Sequence, residues 1–123
     1  EDISVLTINP HMHLLGKSFK AYALSPKLDT IRLISIPKWD FRWQYFYTYP
    51  TMLKIPAGSV IYAEAEFDNT AKNPNNPYSP PQEIKERYEF GGAGMRTTDE
   101  MLQFIITWLP YQNGDEQVSL VVK

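Results

Sequence analysis

The stretch Ser59–Phe67, SVIYAEAEF, sets Ile61, Ala63, Ala65 and Phe67 in alternation with Val60, Tyr62, Glu64 and Glu66. Side chains alternate across a β-strand with a period of two, so the first set predicts a buried face and the second a wetter one. Similar short runs occur at SVLTI (Ser4–Ile8), SFKAYAL (Ser18–Leu24), TIRLISI (Thr30–Ile36), WQYFY (Trp43–Tyr47), MLQFIITWL (Met101–Leu109) and QVSLVV (Gln117–Val122), with Pro, Gly, Asn or Asp between them. In MLQFIITWL the more hydrophobic face is Leu102, Phe104, Ile106 and Trp108, and the mixed one is Met101, Gln103, Ile105 and Thr107. The segment EIKERYEF (Glu83–Phe90) fits one helical turn through Ile84 and Tyr88 but equally a strand through Ile84, Tyr88 and Phe90, and we read it as strand. Ten prolines leave long helices few places to sit. The fold class that follows is all-β, an antiparallel sandwich or barrel of about eight strands.

At 123 residues, 43% of them hydrophobic, the chain (1–123) has the size and the apolar content of a single domain with a substantial core. Lys and Arg number 12 against 14 Asp and Glu without a long run of either sign, which gives no footprint for nucleic acid. No apolar run is long enough for a membrane-spanning helix. The chain begins with Glu1 rather than Met, which suggests a processed or excised piece in which an export signal would be invisible. With no cysteine, disulfides, thiolate metal sites and cysteine nucleophiles are all absent. The candidate metal donors that remain are two histidines, four methionines and the carboxylates.

Both histidines lie in NPHMHLLGKSF (Asn9–Phe19). On a strand, His11 and His13 point to one side, near enough to share an ion, while Met12 points to the other. A carboxylate as third ligand would favour zinc or iron. A methionine would favour copper, because the thioether is a soft donor suited to Cu(I). Met12, Met52, Met95 and Met101 compete for that place. Met101 also reads as a core gap-filler, and TTDE (Thr97–Glu100) as a helix capping box. The loop DNTAKNPNNPYSPP (Asp68–Pro81) carries oxygens that calcium can use, in Asp68, Asn69, Asn73, Asn75 and Asn76, although a turn-rich solvated connection is the more ordinary reading.

The motif HMHLLGKSFKAYA (His11–Ala23), followed far downstream by GGAGMRTTDEM (Gly91–Met101), resembles the copper type II, ascorbate-dependent monooxygenases. This is the family of peptidylglycine α-hydroxylating monooxygenase and dopamine β-monooxygenase, and the likeness is to their C-terminal domain. The segments WDFRWQYFYTYP (Trp39–Pro50) and EFDNTAKNPNNP (Glu66–Pro77) also look like bacterial members, so the resemblance runs from about Ser4 to Trp108. It implies a jelly-roll β-sandwich, one copper ion held by His11, His13 and Met101, and an organic substrate hydroxylated with dioxygen. It also implies export to the periplasm or beyond, and an upstream domain of the same parent chain that carries the electron-transfer copper on three further histidines. This chain has no histidine to spare for that second copper, so alone it should be inactive. Asp99 and Glu100 are then candidates to orient an imidazole by hydrogen bonding. Two positions depart from the family. Peptidylglycine enzymes use an arginine two residues before the first His and a tyrosine four after the Met to hold the substrate carboxylate; here Asn9 and Ile105 stand there.

Three rivals stand beside this reading. A cupin shares the His-x-His strand but needs a Glu soon after and a later His, which Leu14–Phe19 and the rest of the chain do not supply. A carbohydrate-binding or interaction module is suggested by Trp39, Phe41, Trp43, Tyr45, Tyr47 and Tyr49, whose odd positions would line one strand face with rings, although rings so placed usually fill a core. An adhesion or assembly domain that keeps the fold without electron transfer is the third.

Overall fold

The computed structural model describes residues 1–42, 44–85, 88, 89, 92, 93, 97 and 100–121, with 88, 89, 92 and 93 described by their backbone alone. The chain is an all-β sandwich. Six long strands make it: β1 (Ile3–Met12), β2 (Gly16–Leu24), β3 (Thr30–Ile36), β4 (Tyr47–Ile55), β5 (Val60–Phe67) and β8 (Leu102–Pro110). Between the last two lies a short antiparallel pair, β6 (Tyr88–Glu89) with β7 (Gly92–Ala93). One sheet has the order β4-β1-β8 and the other β3-β2-β5, all pairings antiparallel. The central strands β1 and β2 follow one another directly through the turn at His13–Leu15, where Gly16 N–H donates to the His13 carbonyl at 3.1 Å.

Inward residues of both sheets form one core of Val5, Ile8, Met12, Phe19, Ala21, Ala23, Leu33, Trp39 and Ile55. The Tyr49 hydroxyl donates to the Leu33 carbonyl at 2.9 Å, which ties β4 to β3. Phe19 meets Phe104 at 5.4 Å between ring centroids, which ties β2 to β8. With β4 over β3, the opposite edges β8 and β5 fall on the same side of the sandwich.

That side explains where the periodicity misleads. Of the four inward residues expected on β5, Ala65 and Phe67 pack against the core, whereas Ile61 and Ala63 are exposed. An edge strand has a neighbour on one side only, and the facing edge strand β8 likewise leaves Trp108 and Leu109 half-exposed. The expected strand at WQYFY begins only at Tyr47 among the described residues, with Gln44–Phe46 outside any strand. Among the described residues of QVSLVV, which exclude Val122, the structure has the end of a 3-10 turn (Asp115–Gln117) and a bridge from Ser119 to Thr51 in place of the expected strand. In EIKERYEF only Tyr88–Glu89 is strand among the described residues, and Ile84 is buried ahead of it.

Candidate metal centre

Strand parity builds the site. In β1, Ile8, Pro10 and Met12 face the core, and Asn9 and His11 face outward from the sheet; His13 follows the end of the strand and is buried, with its ring beside that of His11. Met12 is fully buried, and a Cβ built on Gly16 would lie 3.1 Å from its sulfur. It is packing, on the wrong face to join the histidines. Met52 falls where β4 pairs with the Val5–Thr7 stretch of β1, about 16 Å from His11 at about 3.3 Å per residue.

Met101 is different. Residues directly opposite in an antiparallel pair share a face, and β1 pairs with β8 through His11 with Gln103 and Met12 with Leu102. Carried one residue further, this register sets Met101 opposite His13. Extended in this way past the ends of both strands, the ladder points Met101 toward the corner of the sheet where the histidines lie. Asn9 and Ile105 are partners in the same ladder, so the two departures from the family pattern lie side by side next to His11.

The two imidazole centroids lie 5.0 Å apart with the rings nearly perpendicular. Two imidazoles bound to one ion by bonds of about 2 Å at a tetrahedral angle have centroids about 5 Å apart, so the pair fits a shared ion. Two imidazoles and a thioether make the soft donor set that suits Cu(I). Among the described residues no group of three or more His, Asp or Glu side chains is placed to hold a metal. Of the two carboxylates expected to orient an imidazole, Glu100 is exposed and Asp99 lies outside the described residues. Met95, Trp43 and most of the Gly-rich turn also lie outside them. Thr97 is described, and its carbonyl accepts from Leu14 N–H at 3.4 Å, which joins the segment before Met101 to the residue after His13.

A residue that spacing did not single out completes the arrangement. Gln44 precedes β4, and the register that pairs Ile8 with Tyr47, carried forward, sets it opposite His11. Its Oε1 meets His11 Nδ1 in a hydrogen bond, and its Nε2 donates to the Phe41 carbonyl at 2.8 Å. The Phe41 ring meets His13 edge-on at 6.0 Å between centroids. One loop therefore touches both histidines. It is anchored in turn: Trp39 N–H donates to the Lys17 carbonyl at 2.8 Å, and Arg42 clasps Asp40 through Nε at 3.1 Å and Nη2 at 2.8 Å. The Arg42 hydrogen bonds hold the Asp40 carboxyl below its ordinary range. Beside the loop a cavity of about 330 Å³ opens, lined by Leu14, Gly16, Trp39, Phe41, Arg42 and Asn75 among others.

The aromatic stripe expected on one strand is broken up. Trp39 enters the core, Phe41 packs on His13, and Tyr45 is exposed in edge contact with Tyr47. A turn at Phe41–Arg42 interrupts the run, which removes the period of two on which a flat face of rings depends. Three side-chain oxygens of the Asn-rich loop serve local turns: Asp68 Oδ1 accepts from Thr70 N–H, Asn73 Oδ1 from Asn75 N–H and Asn76 Oδ1 from Tyr78 N–H.

Comparison with protein-family models, with curated proteins and with solved structures finds no match for this chain.

Proposed function

We propose that this chain holds one copper ion through His11, His13 and Met101, as the oxygen-activating domain of a copper- and ascorbate-dependent monooxygenase. The observation that carries the reading is the histidine pair at 5.0 Å, with the β1–β8 register directing a thioether to the same corner. Copper, when bound, would supply dioxygen activation for attack on a substrate C–H bond. The chain's own residues do the remainder. His11 and His13 would supply imidazole nitrogens, Met101 would favour the reduced ion, and Gln44 and Phe41, which contact the two rings, would help to orient them. An organic substrate would lie in the cavity beside Phe41. The uncharged pair Asn9 and Ile105 argues against a peptidylglycine carboxylate held next to His11. Turnover would need an upstream electron-transfer copper domain from the same parent chain, and the sequence resemblance is what suggests that the whole works outside the cytoplasm.

A Cu(I) competition titration of the wild type, His13→Ala and Met101→Leu tests the assignment. Each substitution should weaken Cu(I) binding at least about tenfold, the lower end of what losing even an outer partner of a metal costs. Equal affinity in all three would overturn it.

A second reading, a carbohydrate-binding sandwich, draws on a different face from the one the sequence suggested. Tyr22 and Tyr62 are cross-strand partners whose rings stack at 5.3 Å and 19° on the sheet β3-β2-β5, beside the Lys20–Glu64 ion pair. Retention on a polysaccharide gel that is lost in Tyr62→Ala and unchanged by chelator would favour it.

A further inference from the structure

We propose that Gln44 is a positioning residue that selects the tautomer of His11 and so prepares its Nε2 to bind metal. The metal half of this inference rests on the copper reading above; the tautomer half does not. The direction of the proton follows from the hydrogen bonds alone. Gln44 Nε2 donates to the Phe41 carbonyl, so the amide end that faces His11 is Oε1. A carboxamide oxygen can only accept, and therefore the proton of a neutral His11 lies on Nδ1 and the lone pair on Nε2.

This choice runs against the ring's own preference, because neutral histidine in water favours the proton on Nε2. Without Gln44 the imidazole would carry its proton on the nitrogen that must bind the ion. The hydrogen bond also fixes the ring's rotation, which lies 5.0 Å from and nearly perpendicular to His13. The acceptor is itself held. Phe41, whose carbonyl orients the Gln44 amide, presses its ring on His13, so one loop sets both imidazoles before any ion arrives. Such prior ordering raises affinity by removing the cost of arranging the ligands at the moment of binding.

Long-range ¹H–¹⁵N NMR of the imidazoles in the metal-free protein, in alkaline buffer, reads the tautomers directly. The wild type should show His11 protonated on Nδ1. Gln44→Leu, which cannot accept, should move the proton to Nε2, while Gln44→Glu, which can, should keep it on Nδ1; unchanged His13 signals report that the fold is intact. In the Cu(I) competition titration Gln44→Leu should lose tenfold to a hundredfold in affinity and Gln44→Glu should recover most of it. A wild-type His11 protonated on Nε2, or a tautomer indifferent to Gln44→Leu, would overturn the proposal even if His13→Ala and Met101→Leu weaken copper binding as expected. If instead the tautomers shift as stated while those two variants bind Cu(I) like the wild type, the role of Gln44 in setting the tautomer stands and the copper assignment falls.

Discussion

Met12 and Met101 lie close to the same pair of histidines in sequence or in register, yet β1 directs the first into the core, whereas the β1–β8 ladder, extended by one residue, points the second toward the histidines. Met12→Leu should therefore keep Cu(I) affinity and cost less than about 1.5 kcal/mol as a volume-conserving core exchange, measured by denaturant unfolding. The Tyr49 phenol is a second residue whose surroundings predict a measurement. Burial pushes it up to about 12, against an ordinary value of about 10. The folded value lies above the unfolded one, so the fold favours the neutral form; stability is fully present below about pH 10 and falls as pH rises from about 10 to about 12. Alkaline absorbance titration should show a late phenol that Tyr49→Phe removes. His11, His13 and Met101 were singled out because few soft donors exist in this chain and the resemblance chose among them. Gln44 was not, because a glutamine carries no spacing signal until the β1–β4 register sets it opposite His11.

The tight turn between β1 and β2 matters most among the elements, since it joins the two central strands immediately after His13. A Cβ on Gly16 would meet Met12 Cβ at 3.0 Å and Cε at 2.9 Å, and Met12 is fully buried beneath it. Gly16→Ala should cost about 1–3 kcal/mol by overpacking, read in chemical denaturation. Most of the strands were legible from the period of two, and β8 shows why: Phe104 and Ile106 turn inward as their alternation requires. The errors fall where alternation is not enough. The first half of β5 alternates but lies at a sheet edge, where Ile61 and Ala63 remain exposed. The rings from Trp39 to Tyr45 alternate too, but Asp40 and Arg42 close a turn there, and short-range hydrogen bonding outweighs the pattern.

In the molecule as a whole, the sandwich acts as a stiff base for its outward corner. Phe19 is almost fully buried between the sheets and meets Phe104 on β8, the strand that leads back to Met101. Phe19→Ala should cost about 3–5 kcal/mol. The C-terminal segment straps the far end: buried Ser4 donates to Asp115 at 2.8 Å, Leu120 N–H donates to the Pro50 carbonyl at 2.8 Å, and Lys54 sits 4.2 Å over the Tyr111 ring. The sandwich class was legible because it follows from many short alternating runs. How the two sheets line up was not, because it depends on contacts such as Tyr49 to Leu33 that no local pattern records. The central claim is that strand pairing brings two imidazoles and one thioether, distant in sequence, to one copper ion. X-ray absorption of the Cu(I)-loaded protein tests it most directly. We expect two imidazole nitrogens and one sulfur around copper, with the sulfur lost in Met101→Leu and retained in Met12→Leu; a copper shell without sulfur, or one whose sulfur survives Met101→Leu, would contradict it.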